Sequence, residues 1–479
     1  MFNDLREFIE QCRASGELKL YDGADWNLEL GVLTEIEAHQ PNPPALLFDN
    51  ITGYPPGYRI AANLFAWTKR IAWLFGFPPS ETTPEAAVIQ NWRERTKKAI
   101  EPVPPVEVAT GPVFQNVHTG DEVDLLEFPV PKWHELDGGR YIGTGDMVIN
   151  RDPDTGWVNF GTYRVQVQDK STLTVYMSPG RHGEMIARKY WDKGLSCPIA
   201  ISFGQAPEVW AAATQQMPEG MSEYDWAGWL RGKPVEVVKG PLTGLPIPAT
   251  AEIVIEGEFL PPEKEMLPEG PFGEWTGHYG TARFGGKAPV VKVKSVMHRN
   301  DPILLGSPPL LFAENAICTN ISRAARLWDE LDRQVPGITG VSVIKPAGRH
   351  NMIVVSLDQK YPGHAKQAAM VVAGSHVGGY MLKYVIMVDS DIDPSNVDEV
   401  LWAIGSRTDP EVSIDILRGC WGSQIDPFLS PQQRAIKDYT HGTAVIMACK
   451  PFHFIKDFPP TIRTSPELLK KVKDKWGIG

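Results

Sequence analysis

Glu269 and Glu274 flank Gly270-Pro-Phe-Gly273 in the stretch Leu267-Pro-Glu-Gly-Pro-Phe-Gly-Glu-Trp-Thr-Gly277. Glycine tolerates positive φ and proline fixes its own, so the stretch predicts a shaped loop that can hold two carboxyls close together. General acid/base chemistry asks for that arrangement. The same residues also read as an ordinary Pro-Gly turn with two solvated glutamates. Arg164, in Trp157-Val-Asn-Phe-Gly-Thr-Tyr-Arg164, is the natural partner for either acid. A buried guanidinium stays charged and grips one carboxylate in a fork, leaving the other acid to carry a proton. It reads equally as a surface strand arginine. A second group is Asn159, His182 in Ser178-Pro-Gly-Arg-His-Gly183, and Glu223 in Gly220-Met-Ser-Glu-Tyr224. An amide oxygen, an imidazole and a carboxylate make a mostly hard set, suited to Mn²⁺ or Mg²⁺ more than to zinc or copper, with room for phosphate oxygens. Spacing alone does not bring these three together. Singly, His182 reads as a loop histidine and Asn159 as a turn or strand-edge amide.

The elements that carry these residues follow from periodicity and punctuation. Apolar residues at helical spacing mark a helix over Leu5, Phe8, Ile9 and Cys12 that stops at Gly16, and a second through Leu28, Val32 and Ile36. Ala45–Ile51 predicts a strand, Pro84 opens a helix carrying Trp92 and Lys97, and Glu101-Pro-Val-Pro-Pro-Val106 is a linker. From about Asn116 to Arg299 the texture is β-rich, with strands over Tyr141–Asn150 and Trp157–Val167 joined by the turn Asp152-Pro-Asp-Thr-Gly156. Further strands at Thr172–Met177, Ile199–Phe203, Val235–Val238, Ala251–Phe259 and Val290–Val296 predict a barrel with inserted helices. One inserted helix opens at Glu223 under a Ser222 cap and ends at Gly232. Strict alternation puts Asn159 and Arg164 on opposite faces, so both can serve one site only if the strand breaks, and Gly161 is where it can. After residue 312, helices near Ile321–Leu331, His364–Val372 and Val397–Ile404 alternate with strands at Thr339–Ile344, Met352–Ser356 and Tyr384–Val388, a separate α/β domain. The tail, Ser465–Trp476, predicts a short basic amphipathic helix that packs on something, such as another subunit.

With 479 residues, 42% of them hydrophobic and 22% charged, the chain suits two or three globular domains. A formal net charge of -11 argues against nucleic acid as the main partner. No apolar run reaches the roughly 20 residues that span a bilayer. The N-terminus lacks a charged-then-apolar signal pattern, and the five cysteines show no Cys-x-x-Cys, so a cytoplasmic protein with buried thiols is expected.

Taken in order, Asn159-Phe-Gly-Thr-Tyr-Arg164, Ser222-Glu-Tyr224, Leu230-Arg-Gly232, Ala251-Glu-Ile253, Glu269-Gly-Pro-Phe-Gly-Glu274, Tyr361-Pro-Gly-His-Ala-Lys366 and Val388-Asp-Ser-Asp-Ile-Asp-Pro394 resemble the UbiD family of prenylated-flavin-dependent decarboxylases. The resemblance runs from about Asp4 to about Phe452. It implies an α+β multidomain fold: an N-terminal α/β domain over 1–112, a split β-barrel flavin-binding domain over 113–310, a C-terminal α/β oligomerisation domain over 311–455 and a tail helix over 456–479. Asn159, His182 and Glu223 match the family's ligands for a divalent ion, usually manganese, that bridges to the flavin phosphate. Thr162, Tyr163, Arg164, Arg181 and His182 match positions lining prenylated FMN, with K⁺ nearby, and Lys383 falls where the family has a basic cofactor contact. Arg164, Glu269 and Glu274 match its catalytic trio.

The implied activity is non-oxidative decarboxylation of an aromatic or heteroaromatic acid, phenolic acids first, through a covalent adduct with prenylated FMN, with Glu274 as proton donor. Losing CO₂ from an sp² carbon leaves a carbanion that side chains cannot stabilise, which is why a cofactor is needed. Microscopic reversibility lets high bicarbonate drive carboxylation. A flavin prenyltransferase would supply the cofactor, and a homo-oligomer, dimer or hexamer, is implied. Two rival readings are a plain-FMN oxidoreductase of split-barrel type and a non-catalytic assembly subunit. Neither uses the trio. Segments Gly306–Phe312 and Gly419–Ser423, with Trp421, are candidate pocket walls or mere connectors.

Overall fold

The computed structural model describes every residue except 79–83, 99, 281–285, 313–316, 349 and 478–479. The first helix, Leu5–Ala14, follows its sequence signals closely: Asp4 caps it by accepting from the Glu7 amide, and Leu5, Phe8, Ile9 and Cys12 form its buried stripe. The second, Glu29–Ala38, forms where predicted but turns its other side inward. Val32 and Ile36 are exposed, while Gly31, Thr34 and Glu37 are buried. Gly31 lies against the Trp133 backbone, where a Cβ would come within 1.8 Å of the carbonyl oxygen. Glu37 accepts from Lys19 and the Tyr21 hydroxyl. Leu30 and Ala38 are the apolar residues this side buries, beside the close approach of Gly31 and the bonds of Glu37.

Four sheets organise the described residues; the smallest, Pro246–Pro248, Glu236–Lys239 and Val106–Glu107, takes the strand predicted near Val235–Val238 out of the barrel. A four-stranded sheet runs Leu18–Asp22, Ala45–Asp49, Arg59–Ala62, Ile303–Leu305, so the chain returns to it after the β-rich region is complete. The largest sheet is antiparallel throughout its main path. Its order is Arg140–Gly143, Arg164–Val167, Thr172–Tyr176, Lys287–His298, Ile253–Phe259, Cys197–Phe203, Met147–Arg151, Val158–Gly161. The strand at one end, Val158–Gly161, is joined through Thr162 and Tyr163 alone to Arg164–Val167, second from the other end. Such a link spans only about 10 Å even when extended, so the sheet must curl until its ends nearly meet. This is the split barrel.

The predicted strand Tyr141–Asn150 is therefore two strands, Arg140–Gly143 and Met147–Arg151, on opposite sides of the split. The break falls where Thr144 Oγ1 accepts the Ser307 amide and Gly145 lies against Leu305. Trp157–Val167 divides too, after Gly161, the position where a break would let Asn159 and Arg164 serve one site.

The last sheet runs Ile338–Val343, Met352–Leu357, Tyr384–Asp389, His441–Ala448, Ile414–Cys420, with helices Ile317–Asp332, His364–Gly374 and Val397–Arg407 in the connections. It is tied to the N-terminal region by Arg93, which sits 4.8 Å from the Trp328 ring and pairs with Asp329 at 2.6 Å and with Asp332. One hydrophobic cluster runs continuously from Leu5 and Phe8 through Trp210 and Trp226 to Ile321 and Val355. The barrel is thus gripped from both sides. The tail helix, Pro466–Trp476, leaves Leu468, Leu469, Val472 and Trp476 exposed. No helix among the described residues is long and apolar enough to cross a membrane.

Candidate active site

The Glu269–Glu274 loop is shaped, not solvated. Gly270 takes φ 83°, and its amide donates to Gln166 Oε1 at 3.0 Å. Gly138 lies so close beneath that a Cβ there would meet the Gly270 carbonyl oxygen at 1.9 Å. Phe272 stacks on Tyr141 at 3.9 Å between ring centroids. These contacts pin the loop to the strands Arg140–Gly143 and Arg164–Val167, where Tyr141 and Gln166 are cross-strand partners.

Arg164 stands between the two acids. Its Nη2 reaches Glu269 Oε2 at 2.5 Å and its Nη1 reaches Glu274 Oε1 at 3.4 Å. The guanidinium lies 5.0 Å from the Tyr176 ring and 5.9 Å from the Phe272 ring. Burial works against its charge, but Glu269 and Glu274, with Glu269 contributing most, together help raise its pKa above the usual value. The two carboxylates are held unequally. Glu269 has 3% of its side chain exposed and accepts a second bond on Oε1 from the Tyr141 hydroxyl at 3.1 Å. Glu274 has 14% exposed and stands at the longer distance from Arg164. Burial, reinforced by Glu269, pushes the Tyr141 hydroxyl far above the usual phenol range, so it remains a donor.

A second corner of the barrel gathers Asn159, His182 and Glu223 through their neighbours. Asp152 Oδ1 accepts the Asp154 and Thr155 amides at 2.9 and 3.3 Å, closing the turn that sets Asn159 opposite Asn150. Asn150 Nδ2 donates to the Gly183 carbonyl at 2.8 Å, and the Trp157 ring lies 5.0 Å from that of His182, the first residue of helix His182–Trp191. Glu223 opens helix Glu223–Arg231 under Ser222, and Gly232 closes it at φ 69°. Glu223 Oε2 accepts the Phe160 amide at 2.9 Å. Asn159 Nδ2 points to Asn150 Oδ1 at 3.5 Å, so its oxygen is the end Asn150 does not engage.

This corner fits a cation. Glu223 is buried, and no cationic side chain pairs with it among the described residues. Burial pushes its carboxyl to about 7 and holds His182 below its usual value, neutral as a metal ligand must be. The two groups of residues are adjacent: Tyr163 lies against Gly161 and Gly183, and a Cβ on Gly183 would come within 2.8 Å of its hydroxyl. Thr162 Oγ1 donates to the Asp146 carbonyl at 3.1 Å. Arg181 is exposed. Lys383 is not brought into contact with these residues; it is paired with Asp426 and lies 5.9 Å from the Phe428 ring. The loop carrying Asp426 does reach the barrel, where Gln424 Nε2 donates to the Tyr176 hydroxyl at 3.1 Å. Trp421, half exposed, packs edge-on against Tyr380 at 5.1 Å.

Sequence reasoning missed Tyr141, Gln166, Phe272 and Asp146. Gln166 carried a signal, since a polar residue two places after Arg164 on an apolar strand shares its face. Asp146 carried none. It is fully buried, its carboxylate oxygens make no side-chain hydrogen bond, and burial raises its pKa well above the usual carboxylate range.

Three sequence models of one family match in order. They are the N-terminal, Rift-related and C-terminal domains of 3-octaprenyl-4-hydroxybenzoate carboxy-lyase, at residues 9–88, 105–310 and 317–449. Pyrrole-2-carboxylic acid decarboxylase of Pseudomonas aeruginosa is 33% identical over 427 residues, 85% of this chain and 83% of that one. Phenolic acid decarboxylase of Bacillus subtilis is 32% identical over 444 residues, 90% of each. The solved structure of the UbiD-class enzyme HmfF from Pelotomaculum thermopropionicum, in complex with FMN, superposes with a TM-score of 0.85 at 27% identity, covering 98% of this chain and 99% of the other.

Proposed function

The chain belongs to the UbiD family of carboxy-lyases, and we propose that it reversibly decarboxylates a small aromatic or heteroaromatic acid, phenolic acids first, with prenylated FMN as cofactor. The observation that carries the reading is Arg164, one buried guanidinium shared by two carboxylates held at unequal distances.

Asn159, His182 and Glu223 would hold a divalent ion, Mn²⁺ by the hardness of the set, with K⁺ nearby. Thr162, Tyr163, Arg164 and Arg181 would line the flavin, and Lys383 would reach it only by leaving Asp426. When bound, the prenylated flavin supplies the electron sink that takes up the pair released as CO₂ departs. The chain's own residues do the rest. Arg164 and Tyr141 occupy both oxygens of Glu269 and fix it as a counter-charge. Glu274, held at the longer distance from Arg164, is the acid that hands its proton to the carbon that has lost CO₂. In reverse, its carboxylate takes that proton and excess bicarbonate favours carboxylation. Tyr141, Phe272 and Tyr176 wall the acids with ring surface, which limits water beside the carbanion. A plain-FMN oxidoreductase or an assembly subunit would leave the shared arginine without work.

The test is to co-express the chain with a flavin prenyltransferase, purify it anaerobically with Mn²⁺, and record the absorption spectrum and cofactor mass. A panel of pyrrole-type, hydroxybenzoate-type and cinnamate-type acids is then screened for CO₂ release. Prenylated flavin with turnover on at least one acid is expected. Plain FMN with every acid untouched would overturn the proposal.

A further inference from the structure

We propose a second cation site, separate from the flavin corner, in which His118, Glu127 and His298 bind one divalent transition-metal ion of the zinc class. Strands Asn116–Thr119 and Lys287–His298 pair antiparallel with His118 opposite Val296, so His298, two residues on, shares the face of His118. Glu127 ends the short turn Leu125–Glu127 that follows. One ligand atom from each of the three lies within 4.8 Å of the others. The imidazole rings of His118 and His298 are 5.4 Å apart and nearly perpendicular, at 81°.

Two details distinguish the cluster from a chance ion pair. His298 is 3% exposed, and its Nδ1 donates to the Arg299 carbonyl at 2.8 Å. That bond fixes the tautomer and leaves Nε2 as a lone pair, buried and without a hydrogen-bond partner. Glu127 Oε1, also buried, faces His118 Nδ1 at 3.3 Å and has no other polar partner among the described residues. Buried acceptors are seldom left unpartnered. Two imidazoles and a carboxylate are the donor set zinc prefers, with water as fourth ligand. Around tetrahedral zinc, with bonds of about 2.0–2.1 Å, ligand atoms stand roughly 3.3 Å apart. Rotation of His118 and Glu127, both partly exposed, closes the difference. The Phe128 and Tyr58 rings, centred 5.3 and 6.2 Å from that of His298, wall the site.

The position gives the ion a task. Residues 116–127 lead into the barrel, and residues after His298 lead back to the four-stranded sheet through Ile303–Leu305. Asn116 Nδ2 already donates to the His298 carbonyl at 3.2 Å and to Asn300 Oδ1 at 3.0 Å. A metal here clips the entry and exit of the barrel together.

The test uses the full chain carrying Glu223→Gln, so that the flavin-side cation does not contribute. It is stripped with chelator and titrated with Co²⁺, then with Zn²⁺ in competition. One equivalent of Co²⁺ with the intense visible bands of a four-coordinate site, displaced by Zn²⁺, is expected, together with a melting temperature that rises with Zn²⁺ concentration. His118→Ala or Glu127→Gln added to that chain should weaken binding at least tenfold and remove the rise. No bound ion at micromolar Co²⁺, or a spectrum and stoichiometry unchanged by both added substitutions, would overturn the site.

Discussion

The barrel holds its two sets of polar residues in opposite states of completion. Around Arg164 the protein supplies both signs of charge: a guanidinium between two carboxylates, a tyrosine hydroxyl on one of them, and rings packed on either side. At the corner of Asn159, His182 and Glu223 it supplies no cationic side chain to Glu223 among the described residues, and that buried carboxylate accepts the Phe160 amide. A buried carboxylate without a positive partner costs stability unless it is protonated or meets a cation. The first region is therefore preorganised by the fold. The second leaves its buried carboxylate without a cationic side chain among the described residues, which is what the proposed cation would answer.

The sharpest way to break this contrast is at the acid end. Glu274→Gln keeps the shape of the loop and removes the proton. If Glu274 returns the proton to carbon, kcat should fall by about 10²–10⁴-fold while flavin spectrum and content stay unchanged. Near-normal turnover would remove Glu274 from the role. Arg164→Leu comes next. It leaves Glu269 buried without its counter-charge, and breaking a buried pair from one side costs on the order of 3–5 kcal/mol. The double variant Arg164→Leu with Glu269→Gln should recover part of that loss, because no unpaired charge is left. Equal melting temperatures for the single and double variants would show that the pair does not carry the stability of the loop.

Much of this was legible in the sequence, for identifiable reasons. Gly270, Pro271 and Gly273 constrain the loop locally, so its shape could be read without knowing what it packs on. Glu223 came with its cap and stop, Ser222 and Gly232, as local a signal as a helix gives. The break after Gly161 could be read from parity joined to glycine's tolerance, on the condition that Asn159 and Arg164 serve one site. Hidden were the facts that depend on register between distant strands: that Tyr141 faces Gln166, and that His298 lies diagonally across from His118. Helix Glu29–Ala38 shows the limit of periodicity. Its apolar stripe is real, but the side turned inward carries Leu30 and Ala38 together with Gly31 and Glu37, whose partners lie inside.

The cation corner is tested by pH. Burial raises the Glu223 carboxyl from 4.5 to about 7, so the folded chain keeps a proton that the unfolded chain releases earlier. Between those values the folded state binds more protons, and metal-free stability must fall as pH rises, by about 3 kcal/mol at most, levelling off above pH 7. Thermal melts of the chelator-treated protein from pH 4.5 to 8 should show that decline, and Glu223→Gln should lessen it, leaving the share of Glu85, which burial also raises to about 7, while abolishing Mn²⁺ binding. A flat profile in the parent chain would mean that a protein group already balances Glu223, and the contrast between the two regions would collapse.

The smallest expected effect sharpens the contrast from the other side. Tyr141→Phe keeps the ring that stacks on Phe272 and deletes only the hydroxyl that donates toward Glu269 at 3.1 Å. Arg164 still holds the other oxygen of Glu269, so the acid loses one of two restraints. A single lost hydrogen bond of this kind is worth about 1–2 kcal/mol, which translates to a fall in kcat of roughly tenfold or less. Mn²⁺ affinity should not move, because neither Asn159, His182 nor Glu223 bonds to Tyr141. Isothermal titration with Mn²⁺ alongside steady-state kinetics separates the two readouts. If Tyr141→Phe weakened the cation as much as it slowed the reaction, the acids and the metal corner would be one coupled unit, and the division drawn between them would be wrong.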